Sequence, residues 1–345
     1  MTMRWVHRPE GSNWGEFGDD DQLGRLNLIT PKKVRQGLAE AREGISFSLS
    51  LPLDLPGGTA LNPRRHPPAL RPTIREGRPN FNVTLDDPLN TDVFNDDLAI
   101  LYLQYSTQWD SLAHVGGLFD ADGDGVAERV YYNGFRAGED LIGPTDLTDA
   151  GVGLGSTSSA LRLGIENMAA HGVQGRAVML DLHAHVGEEH RRVGFDLIER
   201  VMEADRVVVE PGDILCIHTG FAEIVLGMKG APDAQRLHNS CAVLNGRDQR
   251  LLDWITDSGV AAIAADNHAV EAYPAAREDP DACASVLPLH EHCLFKNGIH
   301  LGELWRLTPL ASWLREHGRN RFLLTAAPLR LPGAVGSPVT PIATV

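Results

Sequence analysis

Four polar side chains lie close together between residues 104 and 114, and they are Gln104, Gln108, Asp110 and His114. In an extended chain, residues two or four apart share a face, so these side chains could converge on one point. Asp supplies an anionic oxygen and His a nitrogen, both of which suit Zn²⁺ or Mn²⁺, whereas a Gln amide oxygen is a weaker ligand. The spacing favours a divalent-metal site, and an ordinary hydrogen-bonded loop is the alternative.

A second set of candidate ligands lies near the end of the sequence. His290 and His292 precede the segment Gly298-Ile-His-Leu-Gly-Glu303-Leu-Trp305. A His and a Glu a dozen residues apart can meet where a helix or loop leads into a strand that ends at Glu303. A glutamate inside an apolar strand is costly to bury unless it is paired or bound to a cation. Glu303 is therefore predicted to be a metal ligand, with a buried salt bridge as the alternative.

The segment Leu180-Asp-Leu-His183-Ala-His185 is similar to the strand-end HxH of metal-dependent barrel hydrolases. In such a barrel nearly all of the strands follow this motif. Only about 160 residues follow His185 here, fewer than the roughly 250 of a complete barrel. We therefore expect His183 and His185 to lie on a loop at the edge of a sheet, beside the pocket.

Alternating carboxylates follow the first candidate site. Asp120, Asp122 and Asp124 have the spacing of a calcium loop, and a glycine follows the third Asp. The closing bidentate Glu of a twelve-residue loop is missing, because Tyr131 stands at that position. The pattern predicts either a structural Ca²⁺ site or an acidic surface turn.

Strands and helices that could position these side chains alternate through most of the chain. Short apolar runs bounded by Gly, Pro or Asp predict strands at 99–103, 177–182, 214–219, 260–265 and 322–325. Periodic patterns predict helices at about 158–171, 194–204, 248–257 and 309–317. Before these, a helix is predicted from Lys32 to Glu43, with Thr30 as N-cap, Pro31 in the first turn and Gly44 as the stop. This alternation predicts an α/β fold around one sheet system.

Composition limits the class of protein and its partners. The chain has 345 residues and a formal charge of -15, from 31 Lys and Arg against 46 Asp and Glu. Such a surface repels phosphate backbones and anionic membranes, so we expect neither nucleic acid nor a membrane as partner. No apolar run approaches the roughly 20 residues of a membrane span, and no secretory signal is visible. The four cysteines lack CxxC spacing, as in reduced cytosolic proteins, so a cytoplasmic location is predicted.

Several separated blocks resemble the cyclase family of metal-dependent hydrolases, which includes bacterial kynurenine formamidases, isatin hydrolases and some dienelactone hydrolases. The likeness covers nearly the whole chain, and the N-terminal block is similar to the longer bacterial branch. The blocks, in order, are 13–30, the segment from Gln104 to His114, 211–220, 265–274, 298–305 and 328–341, the last of which contains Gly336-Ser-Pro338.

The family motif HxGTHxDxPxH aligns with the segment from Gln104 to His114. Thr107, Asp110 and His114 match the motif, whereas Leu112 replaces its proline. Gln104 and Gln108 stand where the first two histidines would be. In the family those histidines and the aspartate hold one metal ion. The aspartate is shared with a second ion, whose other ligands would be His290 and Glu303 here.

The resemblance therefore implies at most one divalent cation, Mn²⁺ or Zn²⁺, because two imidazoles have become amides. Its expected ligands are Asp110, His290 and Glu303, with Gln108 or His114 nearby, and His292 replaces His290 if the helix register differs. The implied fold is a swivelling β/β/α cyclase-like domain. Residues 1–95 are predicted as an N-terminal extension packed on a catalytic domain at 96–345, in a homodimer or homotetramer.

The predicted activity is metal-dependent hydrolysis of an amide, a cyclic amide or a lactone. His114 is the predicted proton shuttle, because imidazole titrates near neutral pH, and His183 or His268 takes this role if His114 is a ligand. An aromatic or cyclic small-molecule substrate is expected, in contact with Gln104 and with the side chains of Trp109, Tyr273 and Trp305. Two alternatives stay open: a metal-free hydrolase or lyase of the same fold, and a non-catalytic small-molecule binder.

Overall fold

The structure is a computed structural model, and it describes residues 4–146, 148–151, 153, 155–277, 279, 281 and 283–345. Short 3₁₀ helices at Gly24–Leu28 and Tyr132–Gly134, and a π-helical segment at Glu291–Lys296, accompany the main elements. The helices are α1 Pro31–Leu38, α2 Ile165–His171, α3 His183–Val186, α4 Phe195–Asp205, α5 Phe221–Gly227, α6 Ala234–His238, α7 Gln249–Asp257, α8 Pro288–His290 and α9 Thr308–Glu316. The strands are β1 Ser46–Ser48, β2 Ala69–Pro72, β3 Ile74–Arg75, β4 Arg78–Pro79, β5 Phe81–Thr84, β6 Val93–Asn95, β7 Asp97–Ile100, β8 Gln108–Asp110, β9 Gly117–Phe119, β10 Glu128–Val130, β11 Leu141–Ile142, β12 Ser159–Ala160, β13 Gln174–Asp181, β14 Arg191–Val193, β15 Ile214–His218, β16 Ala242–Leu244, β17 Ala262–Ala265, β18 His300–Glu303, β19 Arg321–Thr325, β20 Gly336–Pro338 and β21 Ile342–Thr344.

A mixed nine-stranded sheet forms the centre of the domain. Its strand order is β1-β21-β19-β13-β15-β17-β18-β8-β20. The four strands β13, β15, β17 and β18 are parallel neighbours, and antiparallel strands extend the sheet on both sides. The polar residues Asp181, His218, Asp266 and Glu303 lie at or just beyond the carboxyl ends of the parallel strands. In such sheets this edge is where ligands bind.

Both faces of the sheet are covered, because side chains along its apolar strands alternate between two hydrophobic clusters. In β15, Ile214 and Cys216 belong to one cluster, which also holds side chains of α2 and α9. Leu215 and Ile217 belong to the other, which holds side chains of α4, α7 and the segment 289–295. Burial on two sides explains why these strands are continuously apolar in sequence.

Two predicted helices are shorter in the structure. Helix α1 begins at Pro31 with the Thr30 cap as predicted, but it ends at Leu38 rather than at Glu43. The backbone amides of Glu43 and Gly44 instead donate to the carbonyl of Val345. Helix α2 covers only the second half of the helix predicted at 158–171, because the chain first forms β12, which pairs with β11. The strand predicted at 99–103 overlaps β7 only at Ala99 and Ile100, and β7 pairs with β2 outside the main sheet.

A β-rich arm, defined as residues 69–100, projects from the domain and contains β2 to β7. Seven of its large apolar side chains are exposed, and they are Leu70, Ile74, Phe81, Leu89, Val93, Phe94 and Leu98. The chain before the arm joins the main sheet, since β1 pairs with β21. Among the described residues, no helix combines the length and the hydropathy that crossing a bilayer requires.

Candidate active site

The candidate site is built on two neighbouring antiparallel strands, β8 and β18. Their register places Gln108 opposite Glu303 and Asp110 opposite Leu301. Alternation along β8 directs Gln108 and Asp110 to one face and Trp109 to the other. The spacing argument from sequence therefore holds for Gln108 and Asp110, whereas Gln104 and His114 lie outside the strand.

Asp110, His290 and Glu303 meet at this face. Each offers one ligand atom, and these atoms all lie within 4.8 Å of one another. His290 Nε2 lies 3.3 Å from Glu303 Oε1, and all three side chains are buried. His114 Nε2 lies 3.8 Å from Asp110 Oδ1, and its side chain is half-buried. The structure thus brings together two distant parts of the sequence.

Glu271 fixes the orientation of His290. Its Oε1 accepts hydrogen bonds from His290 Nδ1 at 2.8 Å and from the His290 backbone amide at 2.9 Å, and its Oε2 accepts from the Leu289 amide at 2.9 Å. Both carboxylate oxygens are therefore used at the start of α8. This arrangement directs His290 Nε2 toward Glu303. A carboxylate behind the distal nitrogen is the usual partner of a metal-ligating imidazole.

Burial and charge shift the pKa values of the clustered groups. Burial raises the pKa of Asp110, with the neighbouring Glu303 charge acting in the same direction and His114 opposing it. For Glu303, burial also acts upward, but the hydrogen bond from His290 and nearby charges hold the pKa at about 2. Burial alone would lower the pKa of His290, yet its bonds to Glu271 and Glu303 raise it to about 10. The cluster therefore favours a cation beside Glu303.

The amide of Gln108 has two possible orientations. In one, Nε2 donates to Asp110 Oδ1 at 3.4 Å and to Glu303 Oε2 at 3.3 Å. In the other, the nitrogen donates to the backbone carbonyls of Gln104 at 2.7 Å and Ser106 at 3.1 Å. The second orientation has the shorter bonds, and it directs the amide oxygen at two carboxylates. That direction is favourable when a cation lies between the oxygens.

The donor set fits a divalent cation. Asp110 Oδ2 is buried and has no hydrogen-bond partner among the described residues, which is costly for a carboxylate oxygen unless a cation compensates it. Two carboxylates, an imidazole and an amide oxygen are hard or intermediate ligands, which suit Mn²⁺ or Zn²⁺. Gln108, Asp110, His290 and Glu303 are therefore the residues that could hold such an ion.

The backbone around the site is locally strained. Leu304, directly after Glu303, has a φ of 56°, and Ala269 and Val270, which separate His268 from Glu271, have φ values of 67° and 58°. Left-handed conformations cost side-chain-bearing residues roughly 1–3 kcal/mol each, and they concentrate at functional sites.

A cavity of about 270 Å³ opens beside the acidic cluster. His114, His268, Tyr273, His290 and Glu303 are among the residues that line it. Burial lowers the pKa of His268 to about 4, so its imidazole is neutral at neutral pH. Tyr273 is 45% exposed, and its ring meets that of His268 edge-on at 6.3 Å. Both side chains are therefore placed to contact a molecule in the cavity.

Trp109 and Trp305 are not available to a substrate. Both rings are completely buried and lie edge to face, with centroids 4.9 Å apart, in the hydrophobic cluster on the far side of β8. The Trp109 indole donates to the carbonyl of Ala326, and that of Trp305 donates to the carbonyl of Gln108. The predicted contact of these two side chains with substrate is wrong, because strand alternation directs Trp109 into the core.

Gln104 lies beside the cavity wall rather than among the metal ligands. Together with Arg65 and His268 it lines a small cavity next to the larger one. A side chain at Gly336 would come within 2.5 Å of Gln104 Nε2.

His183 belongs to a different cluster. It is the first residue of the short helix α3, where its ring centroid lies 5.3 Å from that of His218. It is not among the residues that line the cavity beside Glu303. His185 pairs with Asp205 at 2.9 Å. The structure does not bring His183 to the cluster of Asp110, His290 and Glu303, because β13, which precedes it, is separated from β18 by two strands.

His292 also lies outside the cluster. Its Nε2 is 2.9 Å from Thr256 Oγ1, and burial lowers its pKa to about 4. Of the two histidines that the sequence left open, His290 is the one beside Glu303.

The acidic loop at Asp120, Asp122 and Asp124 stays a candidate calcium site. One ligand oxygen from each lies within 4.8 Å of the others. Backbone amides within the loop already donate to all three carboxylates, for example from Gly123 to Asp120 at 2.7 Å and from Val126 to Asp124 at 2.7 Å. These bonds fit an acidic surface turn equally well.

Sequence reasoning missed Glu271, Arg64 and Arg65. The signal for Glu271 was present, because an acid in the apolar run Ala269-Val-Glu-Ala272 needs a buried partner, as was argued for Glu303. The two arginines line the cavity from the loop before the projecting arm. No pattern in the sequence indicates that placement.

Comparisons with known proteins agree with this architecture. The Cyclase family model matches residues 48–272. A crystal structure described as a novel cyclase is 31% identical, with 97% of each chain covered and a TM-score of 0.73. Isatin hydrolase A from Labrenzia aggregata, solved with benzyl benzoate, is 12% identical, with 91% of this chain and 98% of that chain covered and a TM-score of 0.55. Isatin hydrolase A from Ralstonia solanacearum is 14% identical, with 91% and 97% covered and a TM-score of 0.53.

No curated protein sequence matches this one. The two isatin hydrolases share its fold, and the predicted cyclase-like α/β fold is confirmed. The family match extends over more than half of the sequence, and the 31% identical structure covers nearly all of it. The chain belongs to the cyclase family.

Proposed function

We propose that this protein is a metal-dependent hydrolase of an amide, a cyclic amide or a lactone, with one Mn²⁺ or Zn²⁺ ion as cofactor. The proposal rests on the convergence of Asp110, His290 and Glu303, with Asp110 Oδ2 buried and unpartnered. Structural neighbours that are isatin hydrolases support a hydrolytic activity. Asp110, His290, Glu303 and the Gln108 amide oxygen would hold the ion. When bound, a divalent cation would lower the pKa of a coordinated water and polarise the carbonyl group of the substrate.

The chain's own residues divide the remaining tasks. His114 Nε2, 3.8 Å from Asp110, is placed to take a proton from the attacking water and return it to the leaving nitrogen or oxygen. His268 is neutral at neutral pH and can accept a hydrogen bond from the substrate. Glu271 keeps His290 Nε2 directed at the site. Tyr273 offers a partly exposed ring to an aromatic or cyclic substrate.

Elemental analysis combined with turnover tests this proposal. We expect natively purified protein to contain about one Mn or Zn per chain, and Asp110→Asn to contain none. Formyl-anilides, isatin-like lactams and dienelactones are then assayed with added Mn²⁺, and Asp110→Asn is expected to reduce kcat/KM by at least about 10²-fold.

Three outcomes would contradict parts of the proposal. Full activity in metal-free protein would indicate a metal-free hydrolase. Equal metal content in Asp110→Asn would move the ion to another site. Binding of these compounds without any turnover would indicate a small-molecule binder.

A further inference from the structure

Two adjacent arginines face the candidate active site. Arg64 and Arg65 line the same cavity of about 270 Å³ as His114, His290 and Glu303. Arg65 Nη1 donates to the backbone carbonyl of Gln104 at 2.5 Å, which anchors its guanidinium beside the cavity wall. The Arg64 side chain is exposed. One arginine is therefore fixed, and the other is free to adjust to a ligand.

Neither arginine forms an ion pair with a described residue. Within the part of the chain that the structure describes, no carboxylate oxygen lies within 4.0 Å of either guanidinium. Other arginines of this acidic protein do pair, as Arg176 does with Asp213 at 2.8 Å and Arg315 with Asp181 at 2.8 Å. Many exposed arginines are unpaired, so the relevant observation is that both of these line one cavity beside the candidate site, where two guanidinium groups favour an external anion.

The two acids of the candidate site, of which only Glu303 lines the cavity, do not fill that role. Asp110 and Glu303 form no ion pair with either arginine and converge instead on His290. A divalent cation held by them would balance both carboxylate charges. Arg65 lies close enough to Asp110 and Glu303 for its charge to act on both carboxylates, and a bound cation would offset that attraction. A guanidinium binds a carboxylate through two parallel hydrogen bonds, which is the strongest pairing available to it.

We propose that Arg64 and Arg65 form a carboxylate-binding subsite, and that the substrate is an anionic amide, cyclic amide or lactone that carries a carboxylate. This inference rests on the proposed function. The apolar or ring portion of such a substrate would lie along Tyr273 and Leu287, which line the same cavity. The cavity volume suits a small molecule with a single ring. Arg64 and Arg65 are thus specificity-determining residues, and the chemistry remains with the acidic cluster.

Binding of two probes of equal shape tests the subsite without any turnover. Benzoate and benzamide are titrated into the full-length protein by isothermal calorimetry, for wild type, Arg64→Gln, Arg64→Lys and Arg65→Gln. We expect Arg64→Gln to weaken benzoate about tenfold, which corresponds to about 1.4 kcal/mol, and to leave benzamide unchanged. Arg64→Lys should retain part of the preference, because it keeps the charge. Arg35→Gln, which removes an exposed arginine of α1, is the matched control for net charge.

Equal benzoate affinity in wild type and Arg64→Gln would overturn the subsite, because Arg64 is exposed and its removal should not disturb folding. An equal loss in Arg35→Gln would also overturn it, since the effect would then be long-range charge. If Arg65→Gln does not fold, the variants Arg64→Gln and Arg64→Lys still decide whether the subsite exists.

Turnover separates this inference from the proposed function. Formanilide and 2-formamidobenzoate differ by one carboxylate, and we expect Arg64→Gln to lower the ratio of their kcat/KM values about tenfold relative to wild type. Hydrolysis of both compounds with an unchanged ratio would leave the hydrolase standing and reject the subsite. Arg64-dependent benzoate binding without hydrolysis of either compound would support the subsite and contradict turnover of these formamides.

Discussion

Glu271 Oε1 lies 2.8 Å from His290 Nδ1, and the other ring nitrogen of His290 lies 3.3 Å from Glu303. The fully buried carboxylate of Glu271 therefore sets the orientation of the imidazole. Glu271 itself is not one of the three clustered residues Asp110, His290 and Glu303. The same carboxylate accepts two backbone amides at the start of α8, so the position of the helix and the direction of the ring depend on one side chain.

Glu271→Gln should lower metal affinity about 10- to 100-fold, because the neutral amide is a weaker partner for Nδ1 and reduces the basicity of Nε2. Competition with a chelator of known affinity measures this change. Glu291→Gln removes a charge from the same helical segment outside the cluster and should leave the affinity unchanged. Equal affinities in wild type and Glu271→Gln would show that His290 is not a ligand.

Gln108→Leu tests the direction of the amide oxygen. If Oε1 faces Asp110 and Glu303 when an ion is bound, removing it should weaken Mn²⁺ or Zn²⁺ binding about tenfold. Gln104→Leu is the comparison, because that side chain lies outside the cluster, and it should have little effect. An unchanged ion affinity in Gln108→Leu would mean that the amide nitrogen, not the oxygen, faces the carboxylates.

Part of the site could be predicted because the types of its residues already indicate the chemistry that they can perform. An acid in an apolar strand needs a partner, and this argument identified Glu303 and applies equally to Glu271. The strands β13, β15, β17 and β19 were predictable because strands buried on both faces are continuously apolar.

The rest depends on tertiary pairing. Strand β8 has only three residues, and nothing within it shows that it lies between β18 and β20. That position alone decides that Trp109 enters the core while Gln108 and Asp110 lie on the side of His290 and Glu303. The placement of Arg64 and Arg65 likewise depends on a turn-rich segment without periodicity.

Asp213 joins the N-terminal helix to the sheet through a buried ionic network. It accepts hydrogen bonds from Lys33 Nζ at 2.9 Å and from Arg176 at 2.8 and 2.9 Å. Asp213→Asn should lower the free energy of unfolding by up to about 3–5 kcal/mol, because two buried cations lose their buried anion. They would keep only the partly exposed carboxylate of Glu210, which lies 2.8 Å from Arg176 and 3.7 Å from Lys33. Lys33→Met should cost far less, because the Arg176 pair stays intact. Urea denaturation compares the two variants, and equal losses would contradict this account.

His300 should contribute to destabilisation in acid. Burial lowers its pKa to about 3, whereas an unfolded histidine titrates near 6.5. Between these values the unfolded chain binds more protons, so the stability that is fully present above pH 6.5 falls as the pH drops toward 3.

The variant His300→Leu should reduce the slope of unfolding free energy against pH by up to about 1.4 kcal/mol per pH unit in this window. His268 and His292, each with a pKa of about 4, act in the same direction. Part of the dependence of the unfolding free energy on pH should therefore remain in His300→Leu. Urea denaturation from pH 4 to 8 measures it, and an identical slope in the variant would contradict the assignment.

The three residues of β8 serve the core and the cavity at once, which makes this segment intolerant of length changes. Inserting or deleting a single residue between 104 and 108 would exchange the two faces of the strand. The Trp109 indole would then lie on the side of His290 and Glu303, and the Asp110 carboxylate would enter the hydrophobic core. Evolution or engineering can therefore lengthen the projecting arm at residues 69–100 far more readily than this short connection, where folding and chemistry would fail together.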